Sequence, residues 1–383
     1  MSESSSDNVS TDSRLVTSER ELVVLCEWWL EEPVLAVDTE FVRTRTFYAR
    51  LGLIQVCDSR EVSLIDTVAV QELSPFRDVL ARRTQDTVLH SCGEDLGIFA
   101  HEFGVLPRSV FDTQIAAAFV GLGFSRGYQG LLEEVVGVRL AKDETRSNWM
   151  ARPLSESQIR YAVADVAYLP DLRQRLLDEL RLRDRESWAR EEFDRLTNVE
   201  RYSVDPDDAF RRIKGAAGLD RRGLGVLRDL AAWRERQAIQ RDLARNFVLH
   251  DNGLLEIARK RPRNRRDLSG IQALRDGERR RYGDTLLEMV ERGAEKSPED
   301  LPPHLPRPKR VPKQKELTKA LQQLVVRTGA EQGIAPELLA RKKVLEELIY
   351  RVAAGSEPRL PAELEGWRRV VIGEPMLDLL MTA

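Results

Sequence analysis

The stretch Pro33-Val34-Leu35-Ala36-Val37-Asp38-Thr39-Glu40-Phe41 decides how the rest of this chain is read. Its first five residues are a short apolar run with β-branched members, the composition of a buried strand. Asp38 and Glu40 follow at once. In extended backbone, residues i and i+2 face the same side, so the two carboxylates point together from the strand's end. Such a pair repels itself and raises its own pKa values unless a cation lies between. A hard divalent ion with oxygen ligands is one remedy; a polar strand end at a sheet rim is the plainer alternative. The same spacing recurs in Asp184-Arg185-Glu186, but there it reads as charged helix, where i and i+2 diverge, and no role is assigned to it.

Outward from this strand the pattern is α/β. Residues 51–57 and 62–65 read as two further strands joined by the turn-like Asp58-Ser59-Arg60, which predicts an antiparallel meander. Residues 87–90 read as a fourth strand running into a helix at about 94–103. Helical patterns follow over 111–120 and 128–136, with one long helix over 155–182. Strands first, with helices covering them, predict a mixed sheet. Asp205-Pro206 marks a boundary, beyond which strand signals vanish and residues 219–292 read as several short amphipathic helices. Leu224, Leu227, Leu230 and Trp233 supply an i, i+3 stripe there. Trp233 and Phe247 are expected in the core. Six prolines between 298 and 312 predict an extended linker, and residues 317–380 again read as all-helical.

The chain has 383 residues, of which 42% are hydrophobic and 32% charged, enough core for about two or three domains. No apolar run is long enough for a membrane span. Residues 1–14 are rich in Ser and Asp, lack the charge and apolar regions of a secretory signal, and are expected to be a disordered tail. Three dispersed cysteines, Cys26, Cys57 and Cys92, fit reduced thiols in a cytoplasmic protein better than a disulfide framework. Charge is uneven: residues 211–282 hold 20 Lys and Arg against 9 Asp and Glu, in a chain whose net charge is −3. An acidic part and a basic part suggest metal binding by one and phosphate binding by the other, although solvated charged helices would give a similar tally.

Two more acidic positions give Asp38 and Glu40 company. His90-Ser91-Cys92-Gly93-Glu94-Asp95 follows a strand and opens a helix, where a first-turn carboxylate is also explained by capping. Tyr161 and Asp165 stand at i and i+4 on one helix face, an arrangement equally open to an ordinary structural hydrogen bond. Four carboxylates and a tyrosine on separate elements match what two-metal phosphodiester hydrolysis needs: two ions about 3.5–4 Å apart, one activating water and one stabilising the leaving oxygen. No GxxxxGK[ST] loop, dinucleotide glycine fingerprint or HExxH motif is present, so no nucleotide cofactor is expected.

In this order, Asp38-Thr39-Glu40-Phe41, the His90-to-Asp95 segment and Tyr161-to-Asp165 resemble the three motifs of the DEDD 3′→5′ exonucleases, with the tyrosine of the DEDDy subgroup. Thr145-Arg146-Ser147-Asn148-Trp149-Met150-Ala151-Arg152-Pro153-Leu154, leading to Gln158 and Tyr161, resembles ribonuclease D in particular. That resemblance implies an RNase H-like mixed-sheet exonuclease domain over residues 15–200. It also implies HRDC-like helical domains over 215–296 and, more divergently, 314–383, with a proline-rich linker over 297–313. Two divalent ions, Mg²⁺ or Mn²⁺, are implied: Asp38 bridging both, Glu40 and Asp165 completing the site of the water-activating ion, and Asp95 holding the second. Tyr161 is implied to orient the attacking water through its hydroxyl, since a phenol titrates near 10. The implied reaction releases 5′-mononucleotides from RNA 3′ ends, with precursor tRNA as substrate.

Flanking residues carry open alternatives. Thr39, Phe41, His90, Trp149 and Arg152 are candidates for substrate contact; Phe41 could stack on the terminal base or be plain core, His90 could be structural, and Trp149 a packing anchor. Asp112 reads as a helix cap. Arg259, Lys260, Arg261, Arg263, Arg265 and Arg266 are candidates for RNA phosphate contacts, or a merely solvated run. Nothing in the residues selects RNA over DNA, because recognition of the ribose 2′-hydroxyl is invisible at this level. A DNA exonuclease and a non-catalytic nucleic-acid-binding module therefore remain as rivals.

Overall fold

A computed structural model describes residues 13–140, 147–203, 205–305, 311–353 and 359–382. Most of the expected tail, Thr145 and Arg146 of the ribonuclease D-like segment, and Pro306 and Pro308 of the expected linker lie outside the described residues. The described residues form two compact units, one drawn from 13–42, 51–202 and 311–382, the other from 43–50 and 203–305.

The first unit is built on a six-stranded mixed sheet: β1 (Ser13–Val16), β2 (Leu35–Val42), β3 (Arg50–Cys57), β4 (Val62–Asp66), β5 (Thr87–Leu89) and β6 (Val110–Asp112), in the order β1-β4-β3-β2-β5-β6. β3 and β4 pair antiparallel from Leu53–Asp66 to Cys57–Val62, whereas β1 runs parallel to β4, β2 to β5, and β5 to β6. Leu35, Ala36 and Val37 are fully buried, as befits an apolar run in an inner strand covered on both faces. β1 starts at Ser13, so the last two residues read as tail are strand instead, recruited by backbone pairing with Val62 and Ser63.

Two helical readings need correction. The segment 155–182 is two helices, Glu156–Ala167 and Leu169–Leu182, because Pro170 cannot donate a backbone hydrogen bond and starts a new first turn. The helix read from residue 111 begins at Thr113; Phe111 lies in β6, where its ring packs 5.0 Å from that of Phe193.

The C-terminal helices, among them Gln314–Gln332, Lys342–Ala353 and Glu374–Thr382, share one hydrophobic core with the sheet unit. Trp367 lies between Phe119 and Trp188, with ring centroids 5.0 and 5.1 Å away. Glu192 accepts both terminal nitrogens of Arg368, at 2.5 and 2.9 Å, and the Trp367 indole N–H at 3.0 Å. Arg185 donates to the carbonyls of Phe119, Gln332 and Gly333.

The second unit packs the helices Asp276–Glu295 and Asp251–Lys260 against Arg221–Gln240; the two 20-residue helices, Arg221–Gln240 and Asp276–Glu295, replace several of the short helices expected. Leu224, Leu227 and Leu230 are fully buried, and Trp233 meets Tyr282 edge-on at 5.1 Å. Phe247, expected in this core, is 54% exposed, because the four-residue helix Arg245–Val248 buries Val248 instead. Part of the expected linker is pinned here: Leu301 is buried, and Arg221 donates to the carbonyls of Pro298, Leu301 and Pro302.

Replacing Glu192 with Ala strands Arg368 and the Trp367 indole in a mostly buried setting. It should lower the stability of the first unit by about 3 kcal/mol, read as a reduced denaturation midpoint. An unchanged midpoint would show that this contact does not hold the C-terminal helices to the sheet unit.

Candidate active site

Asp38 and Glu40 stand on the same side of β2, and Asp165 approaches them from the helix Glu156–Ala167. One carboxylate oxygen from each lies within 4.8 Å of the others. That helix is fixed at its start by a reciprocal cap: the Ser155 hydroxyl accepts from the Gln158 amide at 3.1 Å, and the Gln158 side chain accepts from the Ser155 amide at 3.0 Å. Asp95 lies in the first turn of the helix Gly93–Glu102 and is buried. Its carboxylate accepts the Thr39 hydroxyl at 2.5 Å, which ties this helix to β2 between the two strand carboxylates. Asp95 is outside the tight group of three, yet close enough for its charge to raise the pKa of both Asp38 and Glu40.

The electrostatics follow from crowding. Burial pushes the Asp38 carboxyl well above its ordinary range, and the charges of Asp95, Asp165 and Glu40 push it further. Glu40 is raised to about 8 by burial and by Asp165 and Asp95. Asp165 is raised to about 7 by burial, against the lowering effect of the Tyr161 hydroxyl that donates to it. Burial brings Asp95 to about 6, although the Thr39 hydroxyl works the other way. Among the described residues no lysine or arginine pairs with Asp38, Glu40 or Asp165. An all-oxygen, uncompensated cluster of this size fits a hard divalent cation such as Mg²⁺ or Mn²⁺.

Tyr161 is held above its ordinary phenol value first by burial, then by Asp165, Glu40 and Asp38. Its ring lies 6.1 Å from that of Trp149, which is buried and backed against β3 at Gly52. A Cβ at Gly52 would fall 2.5 Å from the Trp149 carbonyl oxygen, so only glycine permits this approach.

The flanking candidates divide. Thr39 spends its hydroxyl on Asp95, and Trp149 is a packing anchor beside Tyr161. Arg152 is not open to substrate: its guanidinium grips Asp66 at 2.6 and 2.7 Å and donates to the Gly52 and Trp149 carbonyls. His90 is fixed between the Thr113 hydroxyl, 2.9 Å from Nδ1, and the Tyr128 ring, 5.6 Å away, and burial lowers its pKa so that it stays neutral. Phe41 is half-buried with no aromatic partner among the described residues. In the second unit, Lys260 pairs with Glu256, Arg261 with Asp220 and Arg265 with Asp284, whereas Arg259, Arg263 and Arg266 are exposed with no side-chain partner among the described residues.

Two residues support the site without a sequence signal strong enough to reveal them. Tyr128 donates to the carbonyl of Ala164, the residue before Asp165, at 3.2 Å; nothing in its own segment points to a helix starting at Glu156. Asp112 caps the helix Thr113–Phe119, as its position suggests, and also accepts from the amides of Ser91 and Cys92. It thereby holds the turn that launches the Asp95 helix, including Ser91 in the left-handed region at φ 57°.

The raised carboxyls set a pH dependence. Folded, the cluster binds protons that the unfolded chain has released by about pH 5. Their stabilising contribution is present at low pH and is lost as pH rises through the folded values of about 6 to 8. A bound cation cancels the repulsion that remains. The gain in denaturation midpoint from Mg²⁺ or Mn²⁺ over EDTA should thus be larger at pH 8 than at pH 5.5, and equal gains would contradict a cation site here.

The chain is similar to known proteins along nearly its whole length. A 3′-5′ exonuclease family model matches residues 13–181, an HRDC domain matches residues 223–290, and the C-terminal HRDC domain of ribonuclease D matches residues 312–376. Ribonuclease D of Pseudomonas paraeruginosa is 40% identical over 369 residues, covering 96% of this chain and 97% of that protein. Ribonuclease D of Escherichia coli is 38% identical over 372 residues, covering 96% and 98%. The crystal structure of the Escherichia coli enzyme, described as an exoribonuclease involved in structured RNA processing, superposes with a TM-score of 0.89 at 36% identity, covering 97% of this chain and 99% of that one. With its carboxylates and Tyr161 inside the exonuclease match and both helical regions matched beyond it, this chain belongs to the ribonuclease D family.

Proposed function

We propose that the protein is a divalent-cation-dependent 3′→5′ exoribonuclease that releases 5′-mononucleotides and trims the 3′ ends of precursor tRNAs and other RNAs. The observation that carries this reading is the convergence of Asp38, Glu40 and Asp165 oxygens within 4.8 Å, in a chain of the ribonuclease D family. The processing of structured RNA ascribed to the Escherichia coli protein supports the choice of RNA over DNA and of tRNA precursors as substrate. Among the described residues no helix is long and apolar enough to cross a membrane; the three cysteines are buried and unpaired, which suits a cytoplasmic setting.

Asp38, Glu40 and Asp165 would hold one cation, with Asp38 shared and Asp95 serving a second, Mg²⁺ or Mn²⁺ in each case. Bound there, the ions supply positive charge against the scissile phosphate and make water a better nucleophile near neutral pH. The protein's own share is position. Tyr161 stays protonated, because burial and three carboxylates oppose its ionisation, so its hydroxyl orients a water by hydrogen bonding and does not abstract a proton. The Thr39–Asp95 hydrogen bond and the cap at Ser155 keep strand and helix in register while charge at the site changes.

Asp38→Asn or Asp165→Asn should cut kcat on a single-stranded oligoribonucleotide by on the order of 10³-fold, the loss expected when several kcal/mol of charge stabilisation disappears. Tyr161→Phe should slow turnover about 10²-fold while leaving cation affinity near that of the wild type. Near-normal kcat in the aspartate variants would refute the reading, and faster hydrolysis of a matched DNA strand would replace RNA with DNA as the substrate.

A further inference from the structure

The second unit contains a cavity of about 550 Å³, within the size range of small-ligand sites and lying wholly on residues of that unit. Its wall joins two separate stretches of chain. Arg43 and Phe47 come from the segment that directly follows β2, whereas Arg212, Arg234, Arg245 and Asn246 come from the helical part. The two stretches are fastened together. Asp242 accepts the amides of Phe47 and Tyr48 at 3.0 and 3.1 Å, and the Ala244 amide donates to the Arg45 carbonyl at 2.8 Å.

The acids that line this cavity are already engaged. Glu235 is buried and accepts Arg234 at 3.2 Å and Arg245 Nε at 2.8 and 2.7 Å. Asp251 accepts Arg234 at 2.5 Å, and Asp205 accepts the Asp207 amide at 2.9 Å. Apart from the Asp205 carboxylate, which only caps a turn, what remains unspent is cationic. Arg212 is exposed with no side-chain partner among the described residues, and Arg245 offers both terminal nitrogens while its guanidinium rests 4.6 Å over the Phe47 ring. Arg234, only 3% exposed, keeps an Nε with no partner. The Arg245 guanidinium plane over Phe47, an amide from Asn246 and the unpaired Arg212 are groups that hold one nucleotide unit by its phosphate and base.

We infer that this cavity binds a nucleoside monophosphate unit of the RNA, with Arg212 and Arg245 on its phosphate, and so is a second RNA contact apart from the carboxylate site. The inference rests on the proposed RNA substrate. It assigns the contact to the cavity and not to the exposed Arg259, Arg263 and Arg266. Arg43 follows Glu40 by three residues, so the chain that carries a catalytic carboxylate also supplies part of this wall.

Arg212→Glu tests the site in the full chain without disturbing the Arg234–Glu235–Arg245 group. For a short single-stranded oligoribonucleotide, KM should rise about tenfold and the slope of log binding constant against log salt should flatten by about 0.7, the share of one lost phosphate contact. Arg212→Lys should restore most of both. Cleavage of a dinucleotide by Arg212→Glu should match that by the wild type; if the wild type leaves the dinucleotide and the oligomer alike uncut while Arg212 still governs binding, the nuclease reading fails and the site stands. Titrations in EDTA with 5′-AMP and with the oligomer separate the two sources of the ligand. Weakening of both by Arg212→Glu assigns the cavity to free and strand-borne nucleotides alike, and weakening of the oligomer alone assigns it to the strand. Wild-type affinity of Arg212→Glu for both overturns the inference.

Discussion

The repulsion among carboxylates that two strand positions and two helices force together is the constraint on which the rest of this structure depends. Asp38, Glu40 and Asp165 meet with no arginine or lysine among the described residues to neutralise them, and Asp95 adds its field from one step away. Left to themselves, side chains on mobile elements would separate. Here each backbone is held by something stronger than the repulsion at its tip. β2 is pinned by fully buried Leu35, Ala36 and Val37, and the Asp165 helix by its reciprocal cap and by Tyr128 on the Ala164 carbonyl. The unfavourable charge is thus concentrated where a cation can use it, and opposing contacts are spread through the sheet and its helices.

Most of those contacts are made by residues that do not face the chemistry. Asp112 illustrates the economy: one buried carboxylate accepts four backbone amides, from Ser91, Cys92, Gln114 and Ile115, and so joins the turn before the Asp95 helix to the start of the next one. On the other side, Asp66 receives Arg152 in a bidentate pair, Arg152 reaches the Gly52 carbonyl, and Gly52 lets Trp149 close on the sheet beside Tyr161. Arg152 and Trp149 therefore shape the site by fixing the wall behind the tyrosine.

The strand carrying Asp38 and Glu40 was legible because an apolar run with period-two carboxylates is a local pattern, whereas Asp95 read equally as a helix cap and Tyr161–Asp165 as a structural hydrogen bond, and only the resemblance to the exonuclease motifs singled them out. The mixed sheet followed from the same strands, but its edges did not. β1 and β6 are four and three residues long, below the length at which alternation can be told from chance, and they exist because β4 and β5 offer them backbone partners. Roles decided by tertiary partners stayed hidden for the same reason. Arg152 looks like any arginine near a substrate groove until Asp66 is found 86 residues away in sequence, and Phe247 looks like core until its short helix turns it outward.

Charge tallies mislead in a similar way. The basic stretch of the second unit suggests a broad phosphate-binding face, yet Lys260, Arg261, Arg265 and Arg221 are spent on acids or on backbone carbonyls of the same unit. In the first unit Arg185 and Arg368 likewise serve to fasten helix ends and Glu192. An arginine can hold a polyanion only with donors that folding has not already consumed, so the quantity that matters is unspent guanidinium. By that measure Arg212, part of Arg245, Arg259, Arg263 and Arg266 keep donors, as do Arg45, Lys214, Arg280 and Arg292, and of these only Arg212 and Arg245 line the cavity beside Phe47. Phosphates along any strand can be held by scattered surface charge, whereas a single nucleotide can be held in place only where donor, ring and enclosure coincide.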